Sequence, residues 1–177
     1  MTLSEPLETP NLLLRTLEPA GISQSYLSWL TDPEINRYLE VRFAGPMNLR
    51  DLKEFVRSVN ASADNLMPGI FLKNDSRHIG NIKLGPIDRR HARSEIGFLI
   101  GDKTCWGQGY ASEAIKAVSR YGFDQLGLAK ITAGCYETNL GSSKALLKAG
   151  FAHEGTRPAH VICEGRRIAS LLYGLQR

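Results

Sequence analysis

A chain of 177 residues has room for one domain with a single substantial core. Its hydrophobic share of 42% is ordinary for a globular protein, and no stretch approaches the roughly 18 apolar residues of a membrane span. The start, with Glu5, Glu8 and Pro10, is no signal peptide; the net charge of +4 is mild and lacks a nucleic-acid motif, so cytoplasmic residence without membrane or nucleic-acid partners is expected.

Cys105, Cys135 and Cys163 are widely spaced, with no C-x-x-C, which argues against a disulfide framework or a zinc site. His78, His91, His153 and His160 show no ligand spacing such as HExxH, and no metal is expected.

In chain order, residues 1–10 read as a polar leader, and Leu12, Leu14 and Leu17 belong to a first strand. Ser23 to Leu30 reads as a helix, stopped near Asp32-Pro33, and Pro33 opens a second short helix through Leu39. Asn48 is a good N-cap for a helix carrying Leu49, Leu52, Phe55, Val56 and Val59. Ile70 to Leu72 pairs across Asn74-Asp75-Ser76 with Ile79 to Leu84, and the turn Asp88 to Ala92 leads into Glu95 to Ile100.

The most informative stretch runs from Leu99 to Glu113. An apolar run enters a turn, Gly107 and Gly109 flank Gln108, and a helix follows with Ala111, Ala114, Ile115, Val118, Gly122 and Leu126 on one face. Glycines let the backbone approach a ligand closely, and a helix start offers free N–H groups and positive dipole, which together suit a phosphate or pyrophosphate. The spacing is neither that of a P-loop nor GxGxxG.

After Gly127, Lys130 to Tyr136 reads as a strand, and Asn139-Leu140-Gly141-Ser142 opens a short helix ending at Gly150-Phe151. Strands 93–100 and 130–137, joined by a helix, are parallel by a crossover. Val161–Cys163 and Ile168–Leu175 flank Glu164-Gly165, a pair suited to a two-residue hairpin. With no repeat or internal boundary, residues 1–177 read as one mixed α/β domain. A mostly antiparallel sheet of six or seven strands, with one parallel pair, is flanked by about four helices.

The order strand, Trp106-Gly107-Gln108-Gly109-Tyr110-Ala111, helix, strand, Asn139-x-x-Ser142, helix, Gly150-Phe151 closely resembles the GNAT N-acetyltransferases, in particular the branch of ribosomal-protein alanine and serine acetyltransferases. The resemblance runs from about Leu12 onward. Gly109 and Ala111 match the family signature Q/R-x-x-G-x-G/A, and Trp106 replaces its Gln or Arg, as is common in this branch.

The resemblance implies acetyl-CoA as cosubstrate, with the pantetheine arm entering a gap where the parallel strands splay. Leu99, Ile100, Gly107, Gln108, Gly109, Tyr110, Ala111, Ser112 and Asn139 would then hold the cofactor. Ser142 would protonate the leaving thiolate, with the nearby Tyr136 a weaker candidate, and Glu95 is the first candidate for general base, with Glu137 in reserve. The tyrosine that many relatives carry on the last helix is missing, because Ser143 to Gly150 contains none. Trp29, Arg37, Tyr38 and Arg42 lie on the helices that wall the acceptor pocket in the family. A lysine amine (pKa about 10.4) needs a base more than an α-amine (about 7.7–8).

The leading reading is direct transfer of acetyl to a primary amine, at a protein N-terminus or on a small molecule. The string Trp29 to Glu40 also looks like amino-sugar acetyltransferases, which keeps a nucleotide-linked amino sugar open as acceptor. A non-catalytic acyl-CoA-binding module is the reading of another class, and Glu95 and Ser142 weigh against it. A monomer and a homodimer remain open alternatives.

Overall fold

The computed structural model describes residues 1–177. Eight strands make one continuous sheet in the order β1-β2-β3-β4-β5-β6-β8-β7. They are β1 (Leu7–Glu8), β2 (Leu12–Thr16), β3 (Pro68–Leu72), β4 (His78–Leu84), β5 (Arg93–Ile100), β6 (Lys130–Tyr136), β7 (Ala152–Cys163) and β8 (Arg166–Gln176). Neighbours are antiparallel except β5 and β6. Five α-helices accompany them: α1 (Gln24–Thr31), α2 (Pro33–Asn36), α3 (Leu49–Ala61), α4 (Tyr110–Asp124) and α5 (Leu140–Lys148).

Period-2 alternation sorts the side chains into two cores. Leu12, Leu14, Ile70, Ile82, Leu84, Ile96 and Ile131 face α4 and α5, meeting Ile115, Val118 and Leu146. Leu13 and Phe71 point the other way, into a smaller cluster with Trp29, Leu52, Val56 and Met67 under α1 and α3. The helix ends follow local chemistry. Asn48 and Asp51 form a reciprocal capping box on α3, and Gly150, at φ 98°, closes α5 with Phe151 N–H on Leu146 O. Glu164 and Gly165, both at positive φ, make the two-residue β7–β8 turn.

The fold departs from the sequence reading in a few places. The leader contributes β1, and Thr9 and Asn11 fasten it to Glu113 of α4. The eighth strand is that short segment, whose two residues carry no periodic signal. The second helix stops at Asn36, because Asn36 Nδ2 turns back to Leu30 O and Leu39 is extended before a 3₁₀ turn at Glu40–Phe43. Strand β7 begins at Ala152, its alternation interrupted by two irregularities against β8.

Candidate active site

The glycine turn sits between the end of β5 and α4. Gly107 and Gly109 have φ of 76° and 88°, values that a side chain makes costly. Trp106 Nε1 donates to Ile100 O at 2.7 Å, and Gln108 Nε2 to Thr104 O at 2.7 Å, so both side chains brace the turn from within. Ser112 does the same, its buried hydroxyl donating to Gly109 O. The backbone is what the turn offers. From Gly107 to Ser112 no N–H finds an acceptor in the chain, and the first helical bond is Glu113 N–H to Gly109 O. Six free N–H groups at the positive end of a 15-residue helix fit a pyrophosphate.

Beside this cradle is a residue that sequence reasoning missed. A Cβ placed on Gly109 would lie 3.4 Å from Lys148 Nζ. In sequence, a lysine in the last turn of α5 looks only like a partner for the helix dipole. The packing of α5 against α4 turns it toward the cradle.

Strands β5 and β6 pair at Arg93↔Lys130, Ser94↔Ile131 and Glu95↔Thr132, then separate. The opposite edge of β5 stays bonded to β4 through to Ile100. Glu95 O accepts from Gly85 N–H and Gly101 N–H donates to Ile79 O, so the odd residues of β5 turn their backbone groups toward β4. Phe98 therefore turns its groups into the gap, as does the N–H of Ile100, whose carbonyl is held by Trp106 Nε1. That leaves a backbone edge where a pantetheine amide could pair. Glu95 stands at the last paired position, exposed, with no cation within salt-bridge distance; Arg93 pairs with Asp88 instead.

Across the gap, Asn139 caps α5 by accepting Ser142 N–H at 3.1 Å. Ser142 is half-buried in the first turn of α5, and its hydroxyl has no hydrogen-bond partner in the chain. Ser143 does have one, Tyr173 Oη at 2.7 Å. The Glu137 carboxylate accepts Ala169 N–H, which ties it to β8.

The four acceptor-wall candidates separate. Trp29 is 7% exposed and packs its indole against Gly101 and His78, so it belongs to the smaller core. Tyr38 Oη donates to Thr138 O, and its ring meets Tyr136 edge-on. Arg37 forms an ion pair with Glu164 of the β7–β8 turn at 2.9 Å. Arg42 donates to Leu39 O, Tyr136 Oη and Ile162 O. Tyr136 Oη in turn donates to Glu40. Burial, opposed by Arg42 and reinforced by Glu40, holds the Tyr136 phenol above its ordinary pKa, so it remains a donor at neutral pH.

A family model described as an acetyltransferase (GNAT) domain matches residues 11–152. The chain belongs to the GNAT acetyltransferases. It is 31% identical over 174 residues to the uncharacterized N-acetyltransferase p20 of Bacillus licheniformis, across 97% of this chain and 96% of that protein. It is 28% identical over 175 residues to the uncharacterized N-acetyltransferase YoaA of Bacillus subtilis, across 96% and 95%.

Two solved structures share the fold. The ribosomal L7/L12 α-N-protein acetyltransferase RimL, in complex with CoA, has a TM-score of 0.84 at 16% identity over 97% of this chain and 98% of that one. The spermidine N-acetyltransferase from Vibrio cholerae, in complex with CoA and spermine, has a TM-score of 0.80 at 20% identity over 95% and 96%.

As a GNAT enzyme the protein is an acetyl-CoA-dependent acyltransferase, and the free N–H groups and the open edge of β5 suit CoA. No helix is long and apolar enough to cross a membrane.

Proposed function

We infer that this GNAT enzyme transfers acetyl from acetyl-CoA directly to the primary amine of an unphosphorylated acceptor, a protein N-terminus or a small-molecule amine. The observation that carries the reading is the pair of uncommitted groups at the gap. The Glu95 carboxylate lies at the point of divergence and the Ser142 hydroxyl at the start of α5, neither bonded within the chain.

In this reading Glu95 takes the proton from the attacking amine, directly or through a water. The N–C bond forms as the C–S bond breaks, and Ser142 hydrogen-bonds the departing thiolate and passes it a proton while regaining one from solvent. The N–H groups from Gly107 to Ser112 hold the pyrophosphate with Lys148 beside them, and Leu99, Ile100 and Asn139 flank the arm.

The engagement of both arginines weighs against a nucleotide-linked sugar. Arg37 is neutralised by Glu164, and Arg42 is held by a phenol and two carbonyls. Recruiting either for a diphosphate would break those contacts. Both remaining acceptor kinds occur among the structural relatives, a protein α-amine for RimL and spermidine for the Vibrio cholerae enzyme.

The test is release of free CoA from acetyl-CoA with three acceptor sets: short peptides with free N-termini, small amines including polyamines, and nucleotide amino sugars. Turnover with either of the first two and none with the third is expected. Turnover restricted to the sugar nucleotides would overturn the reading.

A further inference from the structure

Two residues beyond the last paired position, level with each other on the diverging strands, stand Gly97 of β5 and Gly134 of β6. Both are exposed, while Ile96, Ala133 and Cys135 beside them are buried. A Cβ on Gly97 would meet nothing within 4 Å, and one on Gly134 only Leu171 O at 3.9 Å. Neither glycine has a positive φ. Backbone conformation and packing would therefore both accept a side chain. A strand glycine sacrifices stability, and one that the fold itself does not require marks a close approach by something else.

Alternation puts the pair on the face of Glu95 and Thr132, opposite Ile96 and Ala133. The glycine cradle and Lys148 belong to α4 and α5, which pack on the Ile96 face. A pantetheine arm starting at the cradle reaches the Glu95 face only through the gap, and it emerges over these two bare positions. The apolar side chains bordering the pair are Leu99 on β5 and Leu172, the partner of Gly134 on β8, while Glu95, Thr132 and Tyr136 share the face two positions away along the strands. Leu99 and Leu172 supply apolar walls.

We propose that Gly97 and Gly134 form the floor of an acyl subsite that admits linear acyl groups longer than acetyl, such as propionyl and butyryl thioesters. The proposal rests on the assignment of the gap to CoA. Two absent side chains at one level leave a trough along the sheet, and an unbranched alkyl chain fills it with apolar contact.

The experiment measures dissociation constants of CoA, acetyl-CoA, propionyl-CoA and butyryl-CoA by calorimetry, for the wild type and for Gly97→Ala, Gly97→Val and Gly134→Val. The wild type should hold acetyl- to butyryl-CoA within about threefold. The valine variants should keep CoA within about threefold of the wild type and weaken butyryl-CoA at least roughly tenfold, about 1.4 kcal/mol. Gly97→Ala, the mildest change, should show the same order at smaller size, with thermal melting confirming the fold. A wild type that loses roughly tenfold from acetyl- to butyryl-CoA, or valine variants that weaken CoA and butyryl-CoA equally, overturns the proposal. A wild type that binds no CoA at all removes the assignment of the gap itself, a different and distinguishable result.

Discussion

Lys148 and Gly109 meet across the α4–α5 interface, with the lysine Nζ only 3.4 Å from where a Cβ on the glycine would sit. That contact places a mobile positive charge beside six free N–H groups, two different kinds of anion recognition at one point. Lys148→Met should weaken CoA binding roughly fivefold, about 1 kcal/mol, at low ionic strength. The difference should shrink in high salt, where screening shortens the reach of an exposed ammonium. Titrations of CoA at two salt concentrations check both statements. Gly109→Trp should cost at least about tenfold, because it adds strain at φ 88° to the obstruction.

Ser142 is predicted to act on a charge that develops only as the C–S bond breaks. Ser142→Ala should lower kcat roughly tenfold or more, with little change in the KM for acetyl-CoA. Ser142→Thr, which keeps the hydroxyl, should recover much of the loss. A raised KM with an unchanged kcat would instead make Ser142 a binding or capping residue.

For Glu95 the informative variable is pH. Glu95→Gln should depress kcat/KM most near neutral pH, where an α-amine of pKa about 7.7–8 is partly protonated. The loss should narrow as rising pH deprotonates the amine unaided. A constant ratio of mutant to wild type across that range would assign Glu95 a binding role.

Arg42 and Arg37 should behave differently. Arg42→Ala leaves two carbonyls and the Tyr136 hydroxyl without their donor, and a cost of about 1–3 kcal/mol in denaturant unfolding is expected. Arg37→Ala removes one exposed ion pair and should leave denaturant unfolding nearly unchanged. Neither change should create a salt-dependent KM for the true acceptor.

Glu113 predicts an acid limit. Burial works against its charge, but hydrogen bonds from Thr9, Asn11 and the nearby backbone outweigh it and depress the folded pKa. A depressed carboxylate contributes stability above its unfolded pKa of about 4.3, lost as pH falls through the folded value. Melting temperatures of the wild type and Glu113→Gln should differ at neutral pH and converge in acid below that point.

The local parts of this enzyme were legible in its sequence. The cap at Asn48, the glycine turn before α4, the Gly150 stop and the Glu164-Gly165 hairpin depend on residues within a few positions of one another. Steric limits on φ and the unpaired groups of helix ends determine them. The parallel pair was legible as well, since a helical crossover between strands permits little else. Tertiary structure alone decided that Lys148 reaches the cradle, that Arg37 and Arg42 are engaged by the β7–β8 hairpin and Tyr136, and that Trp29 lies in a core. Each is a contact between elements far apart in the chain, and a charged or aromatic side chain carries no local mark of its partner. The level pair Gly97 and Gly134 is of the same kind. Either glycine alone reads as a weak spot in a strand, and only the register Glu95↔Thr132 sets the two side by side at an opening.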